Sequence, residues 1–301
     1  MADDSINPRV AVVGASGLVG GAIIETLGEQ GWSAEEVFAL ASGESVGKRV
    51  DFADTGIWVD DQQLFEFSNV EQVFLALPAD QLETITNRAL AAGCQVINAH
   101  CGAVQAGAKR MLPLDSVWFP DSVVHVQQAH PAAFAAAMLL EKLRGSVYLQ
   151  QVRLHVMQPL STYGRQGMKA LAAEAVSLLG GTPPEKTTLG YQAAFNLITG
   201  LPPVASGQAD EAEIAAQLRD LYDDDMLPVQ ASLVTVPVFF GTVCRLELGV
   251  SEPVDVSMLS ASLANDGWFT VAEGAVTTLD SVGGQSIAVS GLGFDEQDSY
   301  T

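Results

Sequence analysis

The run Val10-Ala-Val-Val-Gly14-Ala-Ser-Gly17-Leu-Val-Gly20 constrains this chain more than any other segment. A β-forming stretch leads into three glycines, and apolar residues then recur at helical spacing as Leu18, Ala22, Ile23 and Leu27. A strand must turn tightly into a helix here, which exposes backbone N–H groups at the helix start to a phosphate. The spacing G-x-x-G-x-x-G is a variant of the dinucleotide fingerprint. Gly14, Ser16, Gly17, Leu18 and Val19 are therefore candidate cofactor contacts, although glycines kept only for close strand–helix packing would give the same pattern. Glu44 follows the second apolar β run, where a carboxylate accepts the ribose hydroxyls of NAD and repels the 2′-phosphate of NADP. A solvated loop residue is the other reading of Glu44.

Strand and helix signals alternate through the first half of the chain. β runs at 9–13, 37–40, 73–77, 95–98 and 123–127 are interleaved with helical stretches at 18–28, 81–92 and 131–143. Such alternation predicts an α/β fold, a Rossmann-type doubly wound parallel sheet. After about residue 145 the β runs lengthen and alternate, at 146–155, 229–236 and 243–248, with helices at 165–179 and 210–220 between them. The boundary is placed near Arg144: a dinucleotide-binding domain over 1–144, then an α+β domain with a mostly antiparallel sheet over 145–301. The stretch 199–207, with Pro202 and Pro203, reads as an ordered connector.

Composition narrows the partners. With 48% hydrophobic and 17% charged residues, the 301-residue chain can build a sizeable core. Its formal charge of −22 argues against nucleic acid and against anionic membranes. From Asp220 onward Arg245 is the only basic residue, a surplus that reads either as adaptation to a salty or acid-tolerant cytoplasm or as plain surface solvation. No apolar stretch approaches the roughly 20 residues a membrane span needs, and the N-terminus has no export pattern. Three cysteines, Cys94, Cys101 and Cys244, are an odd number that argues against a disulfide scaffold. A cytoplasmic location is expected.

Further motifs carry a resemblance: Val96-Ile-Asn98, Gln158-Pro-Leu-Ser161 with Gly164 and Gly167, Ala194-Phe-Asn-Leu-Ile198, and Val236-Pro-Val-Phe-Phe-Gly241. With the opening glycine turn, the chain resembles the aspartate-semialdehyde dehydrogenase family, and more closely its Usg-type offshoot, across nearly its whole length. The resemblance implies NADP-dependent chemistry in which a cysteine thiolate captures the aldehyde, a histidine moves protons and an arginine grips the substrate carboxylate. It also implies a second domain whose sheet pairs with its twin in a homodimer, a use that the strands at 229–236 and 243–248, with Phe239 and Phe240, would suit. Aligned on the motifs, however, the cysteine position holds Pro131, the arginine position Thr235 and the histidine position Thr242. The 2′-phosphate arginine becomes Glu44 and the inorganic-phosphate arginine Gln105; the loop after the third β run reads Leu77-Pro78. Gln158, the substrate-orienting residue, is retained. The family's C-terminal return helix is expected to be missing.

Other groups invite chemistry. Cys101 beside His100 reads as a relocated nucleophile or a small buried thiol. His130 reads as a neutral ligand contact or a helix cap, His125 and His155 as sheet histidines, and Arg165 as an anion contact or a solvated helix-start residue. No metal site is expected. Three functions follow from the sequence. The first is a Usg-type relative without phosphorylating dehydrogenase activity that binds a nucleotide, NAD over NADP. The second is an active NAD(P)-dependent oxidoreductase using Cys101 or His130. The third is an interaction protein with an empty cleft.

Overall fold

The structure is a computed structural model in which residues 7–110, 112, 123–183, 189–200 and 209–293 are described. The chain forms two compact units that part between Gln128 and Ala129. Residues 201–207 of the expected connector lie outside the described residues.

The first unit is a seven-stranded sheet. Its elements in order are β1 (Val10–Val13), α1 (Leu18–Glu29), β2 (Val37–Ala41), β3 (Arg49–Phe52), β4 (Thr55–Asp61), β5 (Gln72–Leu75), α2 (Ala79–Ala91), β6 (Gln95–Asn98) and β7 (His125–Gln127). The strand order is β3-β4-β2-β1-β5-β6-β7, and every pairing is parallel except the β3–β4 hairpin. All four residues of β1 are buried, as befits a strand covered on both faces. Val10 and Val12 enter an apolar layer with Ile24 and Leu27 of α1, while Ala11 and Val13 face the opposite layer with Leu82 and Ile85 of α2. The chain leaves β1 toward β2 and later returns to β5 on β1's other side. The carboxyl ends of β1 and β5 therefore flank the switch point, where open α/β sheets bind ligands.

The irregular segment between β4 and β5 is held by Arg88 of α2, which donates to the carbonyls of Gln62, Gln63 and Phe65 and lies over the Phe67 ring at 5.1 Å. The β3–β4 hairpin at the sheet edge escapes the sequence reading, because Asp51, Asp60 and Asp61 interrupt its apolar pattern.

The second unit contains α3 (Pro131–Glu141), β8 (Leu149–Gln158), α4 (Gly164–Leu179), β9 (Ile198–Thr199), α5 (Glu211–Tyr222), β10 (Val229–Thr235), β11 (Val243–Val250), α6 (Val256–Ala264), β12 (Phe269–Val271) and β13 (Ile287–Val289). Its main sheet has the order β11-β8-β10-β9. The sheet is mixed: β11–β8 and β10–β9 are antiparallel, but β8 and β10 run parallel. A parallel neighbour needs a long crossover, which α4 and α5 supply. Along β8, Val152, Leu154 and Val156 are buried while Arg153 and His155 are exposed, so one face of the sheet meets the core and the other is open. Helix α3 packs against α5 and so belongs with this unit, ahead of the Arg144 boundary read from the sequence pattern. Among the described residues no helix is long and apolar enough to cross a membrane.

The strand–helix turn depends on bare backbone. A Cβ at Gly20 would stand 2.2 Å from the Gly14 carbonyl oxygen, and one at Gly14 would stand 2.3 Å from that of Ala76. Gly20→Ala is expected to destabilise the protein by about 3 kcal/mol, since rigid backbone on both sides must shift. Urea unfolding at neutral pH measures the loss, with Gly21→Ala, where the added carbon meets only an atom at 3.9 Å, as the near-neutral control.

Candidate functional site

The turn after β1 is built as a cradle. Gly14 adopts φ +88°, and the N–H groups of Gly14 and Ala15 both donate to the Leu40 carbonyl, which fixes the turn against β2. Gly17 caps α1 without a side-chain oxygen, and the first turn of α1 carries no acidic residue. Leu18 and Val19 open the helix, where backbone N–H groups have no carbonyl a turn behind them. Donors without a capping oxygen, on a backbone that can be approached closely, suit a pyrophosphate. Ser16 Oγ donates to Ser45 Oγ at 3.0 Å, which ties this turn to the short helical turn Gly43–Ser45 after β2. Exposed Glu44 lies in that turn, so the structure places it beside the cradle with Gly14, Ser16, Gly17, Leu18 and Val19.

At the carboxyl ends of β6 and β7 the polar side chains are occupied with one another. Asn98 donates to Gln105 Oε1 at 3.1 Å and accepts from the His100 N–H at 2.9 Å. Gln127 accepts from the Gln105 N–H and donates to the carbonyls of Gly102 and Ala103. Gln105, standing where the resemblance implies a phosphate-binding arginine, serves as a neutral loop brace.

In the second unit Gln158 is 4% exposed and Thr235 2% exposed, and the two face each other across the β8–β10 register. Gln158 Nε2 donates to Thr235 Oγ1 at 3.0 Å and to Tyr163 Oη at 3.2 Å, and the two hydroxyls are 3.2 Å apart. Both amide hydrogens are thus committed, and no member of the triangle carries charge. Burial pushes the Tyr163 phenol up, so it stays protonated at neutral pH. Tyr163 carries no sequence signal beyond its proximity to Gln158 in the chain. Thr242 follows Gly241, whose added Cβ would stand 2.5 Å from the Thr278 carbonyl oxygen.

Helix α3 begins at the position implied for the nucleophile. His130 is its N-cap: Nδ1 accepts from the Ala132 N–H at 3.2 Å, Pro131 occupies the first helical position, and the His130 N–H donates to Gln217 Oε1 at 2.6 Å. Accepting at Nδ1 requires a neutral ring. Burial pushes His130 down to about 4, so that ring is neutral over most of the pH range.

Burial raises all three thiols above their ordinary value. Cys94 donates to the carbonyls of Phe67 and Val70. Cys101 is pushed up to about 11, which Arg110 only partly opposes. Cys244 stands opposite Val156 on β11, so it shares a sheet face with Gln158, one pairing step away. Cys94, His100 and Cys101 do not form a metal cluster; among the described residues no group of three His, Cys, Asp or Glu side chains does.

Comparison with known proteins fits this geometry. Residues 9–131 match the semialdehyde dehydrogenase NAD-binding domain and residues 140–299 its dimerisation domain. The chain belongs to the semialdehyde dehydrogenase family. It is 33% identical over 278 residues to a USG-1 protein homolog of Pseudomonas aeruginosa, covering 90% of this chain and 82% of that one. It is 27% identical to an aspartate-semialdehyde dehydrogenase of Legionella pneumophila, covering 88% and 78%. The structure of a probable aspartate-semialdehyde dehydrogenase from Pseudomonas aeruginosa superposes with a TM-score of 0.86 at 29% identity, covering 96% and 89%.

The His130 cap generates a pH dependence. The folded ring resists protonation until about pH 4, whereas an exposed ring takes a proton near 6.5. Below 6.5 the unfolded chain therefore binds more protons, and stability falls as pH drops from about 6.5 toward 4. His130→Asn keeps a capping oxygen and removes this term. The acid-side decline in unfolding free energy should become shallower by about 2 kcal/mol at pH 4, as read from urea titrations between pH 7 and pH 4.

Proposed function

We propose that this protein is a USG-1-type semialdehyde dehydrogenase relative that binds NAD and has lost phosphorylating aldehyde dehydrogenation. One observation carries the reading: every cysteine is held as an un-ionised thiol, and the start of α3 offers Pro131 where a thiolate would be needed. Thr235 is neutral and supplies no positive charge for a substrate carboxylate, and its hydroxyl is bound into the triangle with Gln158 and Tyr163. Thr242 offers no proton acceptor of imidazole strength.

The cradle at Gly14–Val19 would hold the dinucleotide's pyrophosphate, and Glu44 would accept the adenosine ribose hydroxyls. The bound dinucleotide supplies a hydride acceptor or donor; this chain's residues supply binding and orientation. Ser16, joined to Ser45, keeps the phosphate and ribose positions in fixed relation.

A second reading, an active oxidoreductase, draws on Cys244, which shares a face with Gln158. Its protonated state counts against it.

Homodimer formation through the second unit, in the cytoplasm, completes the proposal. Buried Glu174 accepts from the N–H groups of Ala193 and Ala194 at 2.6 and 2.8 Å, and the following Phe195, at φ +58°, turns outward. Phe195 and Leu197 are 65% and 66% exposed, and Phe239 and Phe240 are exposed as well. Apolar surface of this kind suits a partner copy.

NAD or NADH at a hundredfold excess over Kd should raise the melting temperature by several degrees, and NADP or NADPH by less. Glu44→Arg should reverse that preference; no shift with any of the four would overturn nucleotide binding. Aspartate semialdehyde with phosphate and either cofactor should give no reduced nucleotide. Turnover that disappears in Cys244→Ser would establish the second reading instead. Phe195→Asp should convert a dimer to a monomer in light scattering after gel filtration.

A further inference from the structure

The glutamine at the carboxyl end of β4 is left without a partner. Gln62 follows Asp61, the last residue of that strand, and is 6% exposed. Its side-chain amide makes no hydrogen bond among the described residues, and Oε1 is buried. The other buried amides of the first unit are used: Asn98 donates to Gln105, and Gln127 bonds to the Gln105 N–H and to the carbonyls of Gly102 and Ala103. An unpaired buried amide is a standing cost to the fold, and packing alone would favour an apolar side chain at this position.

The backbone around that amide is fixed. The Gln62 N–H donates to the Ala41 carbonyl at 2.9 Å, and the Gln62 carbonyl accepts from Arg88 Nη1 at 2.9 Å. The Gln63 N–H donates to Asp61 Oδ1 at 2.8 Å, and the N–H groups of Leu64 and Phe65 both donate to the Asp61 carbonyl. The terminal torsion of a glutamine is soft, so the amide can turn toward a ligand without moving the chain.

Its place in the sheet says what it would meet. The strands β4, β2 and β1 are successive neighbours, and their carboxyl ends form one margin. There β1 runs into the glycine cradle, β2 into the turn that carries Glu44, and β4 into Gln62. The Leu40 carbonyl accepts from Gly14 and Ala15, and the next carbonyl, that of Ala41, accepts from Gln62. Two consecutive residues of β2 thus join the cradle to this glutamine. A dinucleotide with its pyrophosphate on the cradle and its ribose at Glu44 has its base next in line, toward Gln62.

We propose that Gln62 reads the base of the bound dinucleotide, an inference that rests on the nucleotide reading above. Oε1 accepts from the exocyclic amino group of adenine, and Nε2 donates to the adjoining ring nitrogen. A glutamine amide matches that donor–acceptor pair with two parallel bonds. Binding then satisfies an amide that the ligand-free protein leaves unpaired, which is the reason a polar side chain is kept in a buried position.

The test compares NAD with etheno-NAD, whose bridge closes the exocyclic amino group onto the adjoining ring nitrogen, in calorimetric titrations of the full-length protein. NAD should bind at least about tenfold more tightly. Gln62→Met, which keeps the length of the side chain and removes the amide, should weaken NAD by about tenfold and leave etheno-NAD within about twofold. The ligand-free melting temperature of Gln62→Met, and of Gln62→Leu as a second apolar replacement, should not fall below that of the parent, because the amide has no bond to lose. Equal binding of the two dinucleotides by the parent would overturn this proposal and leave the nucleotide reading intact. So would the same preference retained in both replacements, since size alone would then exclude the bridged base. A lower ligand-free melting temperature in both replacements would overturn it by making the amide a brace of the fold. Binding of neither dinucleotide would overturn it together with the nucleotide reading.

Discussion

The fold of the first unit depends on two missing side chains. Gly14 and Gly20 allow the carbonyls of Ala76 and Gly14 to lie where a Cβ would otherwise stand, so α1 descends directly onto β1 and its neighbour β5. That close descent buries Ile24 and Leu27 against Val10 and Val12 and aligns the start of α1 with the switch point of the sheet. One steric condition therefore serves both the packing of α1 and the placement of its start at the switch point. For this reason the glycine run reads clearly in the sequence.

Gln158, Thr235 and Tyr163 of the second unit are neutral and bonded to one another. Gln158 remains on β8, but its amide is engaged by Thr235 and Tyr163. His130 sits at the head of α3 with its ring drawn into capping the helix, and Gln217 of α5 holds its backbone. These arrangements satisfy buried polar groups through long-range bonds between elements. Neutral hydrogen bonding in place of ions is consistent with a chain whose thiols are all kept protonated by burial.

Local rules made much of the architecture legible. Helices α1 and α3 begin at the residues expected, Leu18 and Pro131, since glycine and proline punctuation is a backbone property. Apolar strands such as β1 and β10 are equally clear. The β3–β4 hairpin was not, because its aspartates face solvent at a sheet edge and hide the inward pair Ile57 and Val59. The parallel pairing of β8 with β10 was also hidden, since alternation reports which face is wet and not which neighbour is chosen. Gln158, Thr235 and Glu44 are readable from sequence as candidates by motif and resemblance alone. The sequence could not reveal that Tyr163 completes a triangle or that Gln217 reaches His130 from 87 residues away. Each of these depends on long-range contacts that no local pattern encodes.

The hairpin at the end of the seven-stranded sheet has a consequence for the molecule in a crowded solution. Its outermost strand, β3, is only four residues long, exposes Arg49 and Asp51, and has Arg49 folded over Trp58 at 5.5 Å. An approaching strand from another molecule would meet a short, doubly charged border. The largest sheet is thereby fenced against end-on stacking, a safeguard against amyloid-like association that leaves the ligand-binding margin, at the strands' carboxyl ends, untouched.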